Sequence, residues 1–364
     1  MKKKLRVGLI GASPNGSWGT VAHLPALGAL PQFEVTAVST AHIETAREIA
    51  GKFSIPHAFG DPRSLAEHPD VDVVVVAVRV PAHKELVTMA LEAGKHVYCE
   101  WPLGTDTTEA IKLRDAAEKA GVMHMTGLQA RRAPVIDCLR DMIADGAIGT
   151  VTGVQLVHSV PWQFGGRPSS AYLLDRESGA HYLSIPGGHS IDVICHLFGE
   201  FTSLSATLAT RSTEATALGI ARPSWDQAII GGILDRGIVA GVRLEGSSVH
   251  GTGMRMEISG SGGNLVLSTV PGGRGIQMAD LELQKTTGTG RFEPIAVPEY
   301  YYGVPDAIRT NPALNVAKAY LALNEAVSTG QAPAPDFSDA VIRHRTLDAI
   351  EQSHLEGRRI VLAR

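Results

Sequence analysis

Cysteine is scarce: three residues in 364, Cys99, Cys138 and Cys195, widely spaced and without a CxxC pair. That excludes a disulfide framework and fits a reducing compartment. Aromatic residues are only 5% of the chain, whereas glycine numbers 39, so turns and close backbone approaches matter more than aromatic packing. Positive charge is not in excess, with 33 Lys+Arg against 37 Asp+Glu and a net charge of −4. Nucleic acid and anionic membrane both reward a basic surplus, so neither is an expected partner. No apolar stretch approaches the roughly 20 residues that span a bilayer. The opening MKKKLRVGLIGAS is basic and then apolar, but its apolar run is too short for a signal peptide and reads as a first strand. The expected location is the cytoplasm.

What is present is an alternation. Residues 5–10, 33–38, 71–78, 96–99 and 123–126 read as strands, and residues 20–30, 43–53, 84–93 and 107–120 as helices. The segment VDVVVVAV has the composition of a strand buried on both faces of a parallel sheet. Strands alternating with helices of this length predict βαβ units. Past about residue 128 the pattern changes: residues 151–160, 203–209, 227–234, 239–244, 254–259 and 264–268 read as strands joined by Gly-rich turns. Helical patterns remain at 188–197, 316–328 and 339–355. The expected architecture is an α/β N-terminal Rossmann domain with a parallel sheet, residues 1–127, and an α+β C-terminal domain with a large, mainly antiparallel sheet, residues 128–364.

The first strand runs into a glycine turn and a helix, VGLIGASPNGSWGTVAH. Gly11, Gly16 and Gly19 let the backbone approach a pyrophosphate at a helix N-terminus, and Ser13, Asn15, Ser17 and Trp18 lie in the same turn. An ordinary strand-to-helix turn is the alternative. The end of the second strand, AVSTAH, lacks the acid that binds the ribose of NAD. Ser39 and Thr40 can donate to a 2′-phosphate, with His42 or Arg47 adding charge, so NADP is favoured over NAD. The alternative is that Ser39 and Thr40 cap the following helix.

Four segments together resemble the Gfo/Idh/MocA family of NAD(P)-dependent oxidoreductases: the glycine turn, VVVAVRVPAH ending at His83, AGKHVYCEWPL containing Glu100, Trp101 and Pro102, and GGHSID containing His189 and Asp192. The widened turn and EWP in place of EKP are most similar to the branch of the yeast galactose repressor. The resemblance implies that the turn holds the pyrophosphate and that His83, Glu100, Trp101 and Pro102 lie along the cofactor. It makes His189 the catalytic His and Asp192 a substrate-site acid. It places the family's active-site Lys at Trp101, and an indole has no useful acid–base pKa. A homodimer or homotetramer paired through the sheet is also implied.

His189 and Asp192 are three apart on a helix and share a face. An imidazole suits the proton transfer that accompanies hydride transfer. His196 is placed to pair with Asp192 from the other side, and Tyr172 or Tyr182 could carry a proton in place of the missing Lys. A metal site built on His189, Asp192 and His196 is geometrically possible but lacks further ligands nearby, so no metal is expected. GLQARR follows the last strand of the first domain, where ligands bind, which nominates Gln129 for the cofactor and Arg131 for the substrate. Trp162 and Tyr172, in a Gly- and Ser-rich stretch, could face a sugar or polyol ring. Trp101 and His189 complete the expected substrate contacts. Two functions lead, and a redox-neutral hydrolase or lyase that uses bound cofactor transiently shares every motif with them. One is a dehydrogenase acting on a hydroxyl or ketone of a sugar, polyol or glycoside, with His189 as acid/base. The other is a non-catalytic, dinucleotide-binding sugar sensor. The retained His189 and Asp192 favour the enzyme.

Overall fold

In a computed structural model, residues 4–162, 168–278, 280–286, 290–309 and 312–362 are described. The chain divides into two compact units, Met1–Gln129 with Gly303–Ile342, and Ala130–Tyr302 with Arg343–Arg364.

The first unit is built on six parallel strands: β1 (Leu5–Ile10), β2 (Phe33–Ser39), β3 (His57–Phe59), β4 (Val73–Val76), β5 (His96–Cys99) and β6 (His124–Thr126). Their order is β3-β2-β1-β4-β5-β6. This is the doubly wound order whose strand ends open a crevice for dinucleotides. All four valines of β4 are buried between β1 and β5, as a central parallel strand requires. Helices Ile43–Phe53, His83–Glu92 and Thr107–Ala120 connect the strands. The last begins where Asp106 accepts from the Glu109 N–H at 2.8 Å and ends at Gly121 in a left-handed turn.

The helix expected at 20–30 is two pieces. A wide turn, Gly19–His23, closes by a bond from the Leu24 N–H to the Gly19 carbonyl, five residues back, and an α-helix follows over Leu24–Ala29. Pro25, which has no N–H to donate, stands where the wide turn passes into the α-helix.

The second unit carries a nine-stranded sheet: β7 (Val151–Ser159), β8 (Phe201–Ala209), β9 (Gln227–Leu234), β10 (Val239–Glu245), β11 (Gly253–Gly260), β12 (Gly263–Thr269), β13 (Leu281–Thr286), β14 (Glu293–Ile295) and β15 (Ile360–Val361). The order is β14-β13-β12-β11-β7-β10-β9-β8-β15, antiparallel except for the β7–β10 pair. Alternation along β9, β10 and β11 puts Ala228, Ile230, Val242, Leu244, Met254 and Met256 on the buried face. Helices Pro134–Ala144 and Gly188–Phe198 belong to this unit.

One boundary differs from expectation. The second domain was to run from 128 to the end, but Gly303–Ile342 joins the first unit. The reason is the helix Ala313–Thr329, whose Tyr320 is buried against Phe33 and hydrogen-bonded to His23. Periodicity marks such a segment as helical without saying which core it completes.

Candidate active site

In the first unit the glycine turn follows β1. Gly11 has φ +110°, and a Cβ there would collide with the Ala77 carbonyl, so the tips of β1 and β4 approach only across a glycine. Thr20, outside the expected site residues, braces the turn. Its Oγ1 donates to the Ser13 carbonyl at 2.7 Å, accepts from the Ser13 N–H at 3.0 Å and lies 3.2 Å from Ser17 Oγ. Ser13 Oγ accepts from the Asn15 N–H at 3.3 Å, leaving its own proton able to donate. Asn15 and Gly16 are exposed at the tip.

Along the C-terminal edge of this sheet several buried polar atoms lack a protein partner: Trp18 Nε1 and Ser39 Oγ beside β1 and β2, and Thr126 Oγ1 and Gln129 Oε1 at β6, the far edge strand. They follow or end β1, β2 and β6. Unpartnered buried polar groups cost free energy unless something satisfies them, and their position at the C-terminal edge of a doubly wound sheet fits a dinucleotide. Thr126 was not foreseen. The Thr40 hydroxyl donates to the His42 carbonyl at 2.7 Å, closing the local turn.

His83 lies in the core of the first unit. The ring is fully buried, Nδ1 lies 2.9 Å from the Pro102 carbonyl and Nε2 3.1 Å from that of Val78. Burial holds its pKa below the usual imidazole value. In its neutral form the ring donates to only one of the two carbonyls. Trp101 is 5% exposed, and Pro102 follows it through a cis peptide. Glu100 Oε1 faces His23 Nε2 at 3.0 Å, and His23 Nδ1 meets the Tyr320 hydroxyl at 2.6 Å. Neither His23 nor Tyr320 was singled out in the sequence. His23 sits four residues past the last turn glycine, on the helix face that enters the core, and that position was the available signal.

In the second unit a wide turn, Leu183–Gly187, containing Pro186 leads directly into helix Gly188–Phe198. Such π-type turns recur at functional sites. His189, the helix's second residue, is 4% exposed.

Asp192, one turn on, is fully buried and held by two arginines. Arg131 Nε donates to Oδ2 and Arg131 Nη2 to Oδ1, both at 2.7 Å, and Arg343 Nε donates to Oδ1 at 3.2 Å. Arg343 continues to Glu200, donating to its two oxygens at 2.8 and 3.1 Å. Burial alone would raise the Asp192 pKa, but the two guanidiniums outweigh it and hold the carboxyl below its ordinary value. Arg131, the expected substrate contact, and Asp192, the expected substrate-site acid, are thus brought together in a buried ion pair. No hydrogen bond joins His196 to Asp192, and His196 Nε2 is buried without a partner. Burial and the nearby Arg131 charge push His196 down to about 4. Arg343 and Glu200 come from distant segments and had no local sequence signal.

The Tyr182 hydroxyl donates toward the carbonyls of His158 and Glu245 at 3.0 and 2.9 Å, and burial raises its pKa, so it is no proton carrier. Trp162 packs edge-on against Tyr182, with ring centroids 5.6 Å apart, and donates from Nε1 to the Leu173 carbonyl at 3.2 Å. These contacts fix the ring's position. Tyr172 is half-buried. Residues 163–167, the middle of the Gly- and Ser-rich stretch, lie outside the described residues. Among the described residues one trio, His57, His68 and Asp70, brings ligand atoms within 4.8 Å of one another. Its Asp70 is engaged by Arg6 at 2.7 Å, and no residue of the expected site belongs to it.

Comparison with known proteins finds a match in each half of the chain. Residues 5–128 match the oxidoreductase family with an NAD-binding Rossmann fold, and residues 134–269 match the Gal80p C-terminal domain. A dehydrogenase, aclE, of Aspergillus oryzae is 35% identical over 57% of this chain and 58% of its own length. The galactose/lactose metabolism regulatory protein GAL80 of Kluyveromyces lactis is 26% identical over 74% of this chain and 66% of its own. Levoglucosan dehydrogenase of Pseudarthrobacter phenanthrenivorans is 30% identical over 60% of each chain. The chain thus spans somewhat under two thirds of the length of these relatives. A levoglucosan dehydrogenase structure solved with NADH and levoglucosan superposes with a TM-score of 0.83 at 24% identity, covering 100% of both chains, which shows the shared fold. Matched in order, the two halves give the chain a first domain of the NAD-binding Gfo/Idh/MocA oxidoreductase type and a second domain of the Gal80p C-terminal type.

Proposed function

We propose that this protein is an NAD(P)-dependent dehydrogenase that moves hydride between a nicotinamide dinucleotide and a hydroxyl or ketone of a sugar, polyol or glycoside. The observation that carries the reading is the C-terminal edge of the parallel sheet: a glycine turn that excludes a Cβ at Gly11, with unpartnered Trp18, Ser39, Thr126 and Gln129 atoms along the same edge. Two relatives named as dehydrogenases, one of them acting on levoglucosan, support the substrate class.

When bound, the nicotinamide supplies the hydride donor or acceptor. The protein's part is to bind, orient and move a proton. Gly11 to Gly19 hold the pyrophosphate, and Glu100, Trp101 and Pro102 line the cofactor. His189 takes the hydroxyl proton during oxidation and returns it during reduction, a role worth roughly 10²–10⁴-fold in rate. Trp101 cannot share that role, and Tyr182 is committed to two carbonyls. Asp192 acts on His189 indirectly, through the anchoring of their shared helix by Arg131 and Arg343. NADP is favoured over NAD, because β2 ends without an acid and Ser39 Oγ has no partner.

The exposed face of the nine-stranded sheet, where Ile229 and Val239 are 62% and 55% exposed, suits self-association as a homodimer or homotetramer. The working location is the cytoplasm, with a small carbohydrate-like substrate and neither nucleic acid nor membrane as partner. A second reading, a dinucleotide-binding sugar sensor, is supported by Trp101 at the Lys position and by the Gal80p-type C-terminal domain.

His189→Ala separates the two readings. For the enzyme, turnover falls at least about 10²-fold while dinucleotide affinity changes little. Equal loss of turnover and cofactor affinity would move His189 out of the acid/base role.

A further inference from the structure

Three side chains from distant parts of the sequence form one hydrogen-bonded line in the first unit. The Tyr320 hydroxyl lies 2.6 Å from His23 Nδ1, 297 residues away in sequence, and His23 Nε2 lies 3.0 Å from Glu100 Oε1. His23 and Tyr320 are fully buried, whereas the Glu100 side chain keeps 13% exposure. The rings of His23, Tyr98 and Tyr320 pack on one another with centroids 5.2 to 5.7 Å apart. Gly127 leaves room for the other carboxylate oxygen, since a Cβ there would lie 2.7 Å from Glu100 Oε2.

A single proton assignment satisfies every member. The Tyr320 O–H donates to Nδ1, and Nε2–H donates to the Glu100 carboxylate. A cationic ring would direct Nδ1–H at the phenol oxygen and leave the phenol proton without this acceptor. The line ends at a fully buried hydroxyl, so it leads no proton to solvent. It can only hold its exposed end in place.

We propose that His23 and Tyr320 are positioning residues that fix the Glu100 carboxylate in one orientation for the dinucleotide. The inference rests on the placement of Glu100 along the cofactor. A carboxylate already oriented loses little freedom when the ligand arrives, and a buried line of hydrogen bonds strengthens its members. Cofactor affinity thereby depends on helix Ala313–Thr329, a segment outside the βαβ units.

The test is dinucleotide affinity of the full chain, read by quenching of tryptophan fluorescence, with thermal melts run in parallel. Glu100→Gln and His23→Leu should each weaken binding of NADH or NADPH by about 10-fold, the effect of losing a hydrogen bond to a charged group. The double variant should be no weaker than the worse single one. Tyr320→Phe, which keeps the ring and serves if His23→Leu fails to fold, should weaken binding by about 3-fold. His23→Gln, whose amide can donate to Glu100 and accept from Tyr320, should recover most of the affinity. Additive losses in the double variant, or affinities that track melting temperature without rescue by His23→Gln, overturn the inference. A wild-type chain that binds neither dinucleotide overturns the cofactor reading itself, and this inference with it.

Discussion

At Gly11 the backbone is left-handed and the carbonyl of Ala77 occupies the space of a side chain. Gly11→Ala should therefore strain the turn by about 1–3 kcal/mol and weaken dinucleotide binding by more than about 10-fold. Titration with either dinucleotide checks this, and an unchanged Kd would show that the turn does not hold the pyrophosphate. Asp192 sets a different expectation. Removing its charge leaves two buried guanidiniums without their counter-ion, so Asp192→Asn should cost about 3–5 kcal/mol of stability, measured by denaturant unfolding. The native Asp192 pKa lies below its unfolded value. The stabilisation is thus fully present above the unfolded value of about 3.9 and lost as pH falls through the depressed native value. Gly11 was readable because its reason is local, a strand, a turn and a helix in seventeen residues. The partners of Asp192 were not, because Arg131 and Arg343 reach it from 61 and 151 residues away.

Elements were readable where periodicity and caps agreed. Helices Ile43–Phe53 and Thr107–Ala120 stand at their expected bounds, the second between an Asp N-cap and a glycine C-cap. Asp106→Ala should cost about 1 kcal/mol of stability and leave dinucleotide affinity unchanged. A melt combined with a binding titration tests both halves of that statement. Helix Pro134–Ala144 was overlooked although proline at its first turn was a usable signal. Strands β3, β13, β14 and β15 were overlooked for a better reason: three have only two or three residues, and β13, LELQKT, is mostly polar. Pairing with neighbours makes such segments strands, and a single sequence does not show its neighbours. The wide turns Gly19–His23 and Leu183–Gly187 belong to the same class. Their unusual hydrogen bonds precede the two helices that carry His23 and His189.

The molecule as a whole holds several histidines neutral. Burial pushes His158, His181 and His196 each down to about 4, His181 and His196 with help from neighbouring arginine charge. Unfolded, each would titrate near 6.5. Their contribution to stability is complete above that value and lost as pH falls from about 6.5 toward 4. Melting temperature should be flat above about pH 7 and drop steadily below 6.5, while a flat profile down to pH 4.5 would mean these rings titrate freely. At this scale the two-part architecture was readable, because the switch from alternating helix and strand to Gly-punctuated strands near residue 128 is a change of period. The return of Gly303–Ile342 to the first unit was not, because it depends on which core Tyr320 enters. The central claim is catalysis despite Trp101. The direct test is the absorbance of the reduced nicotinamide when the purified chain, with NAD(P)⁺ or NAD(P)H, meets a panel of sugars, polyols, glycosides and their ketones. Turnover of at least one compound, lost in His189→Ala, is the predicted result. Tight dinucleotide binding with no turnover of any compound would contradict the dehydrogenase and leave the sensor.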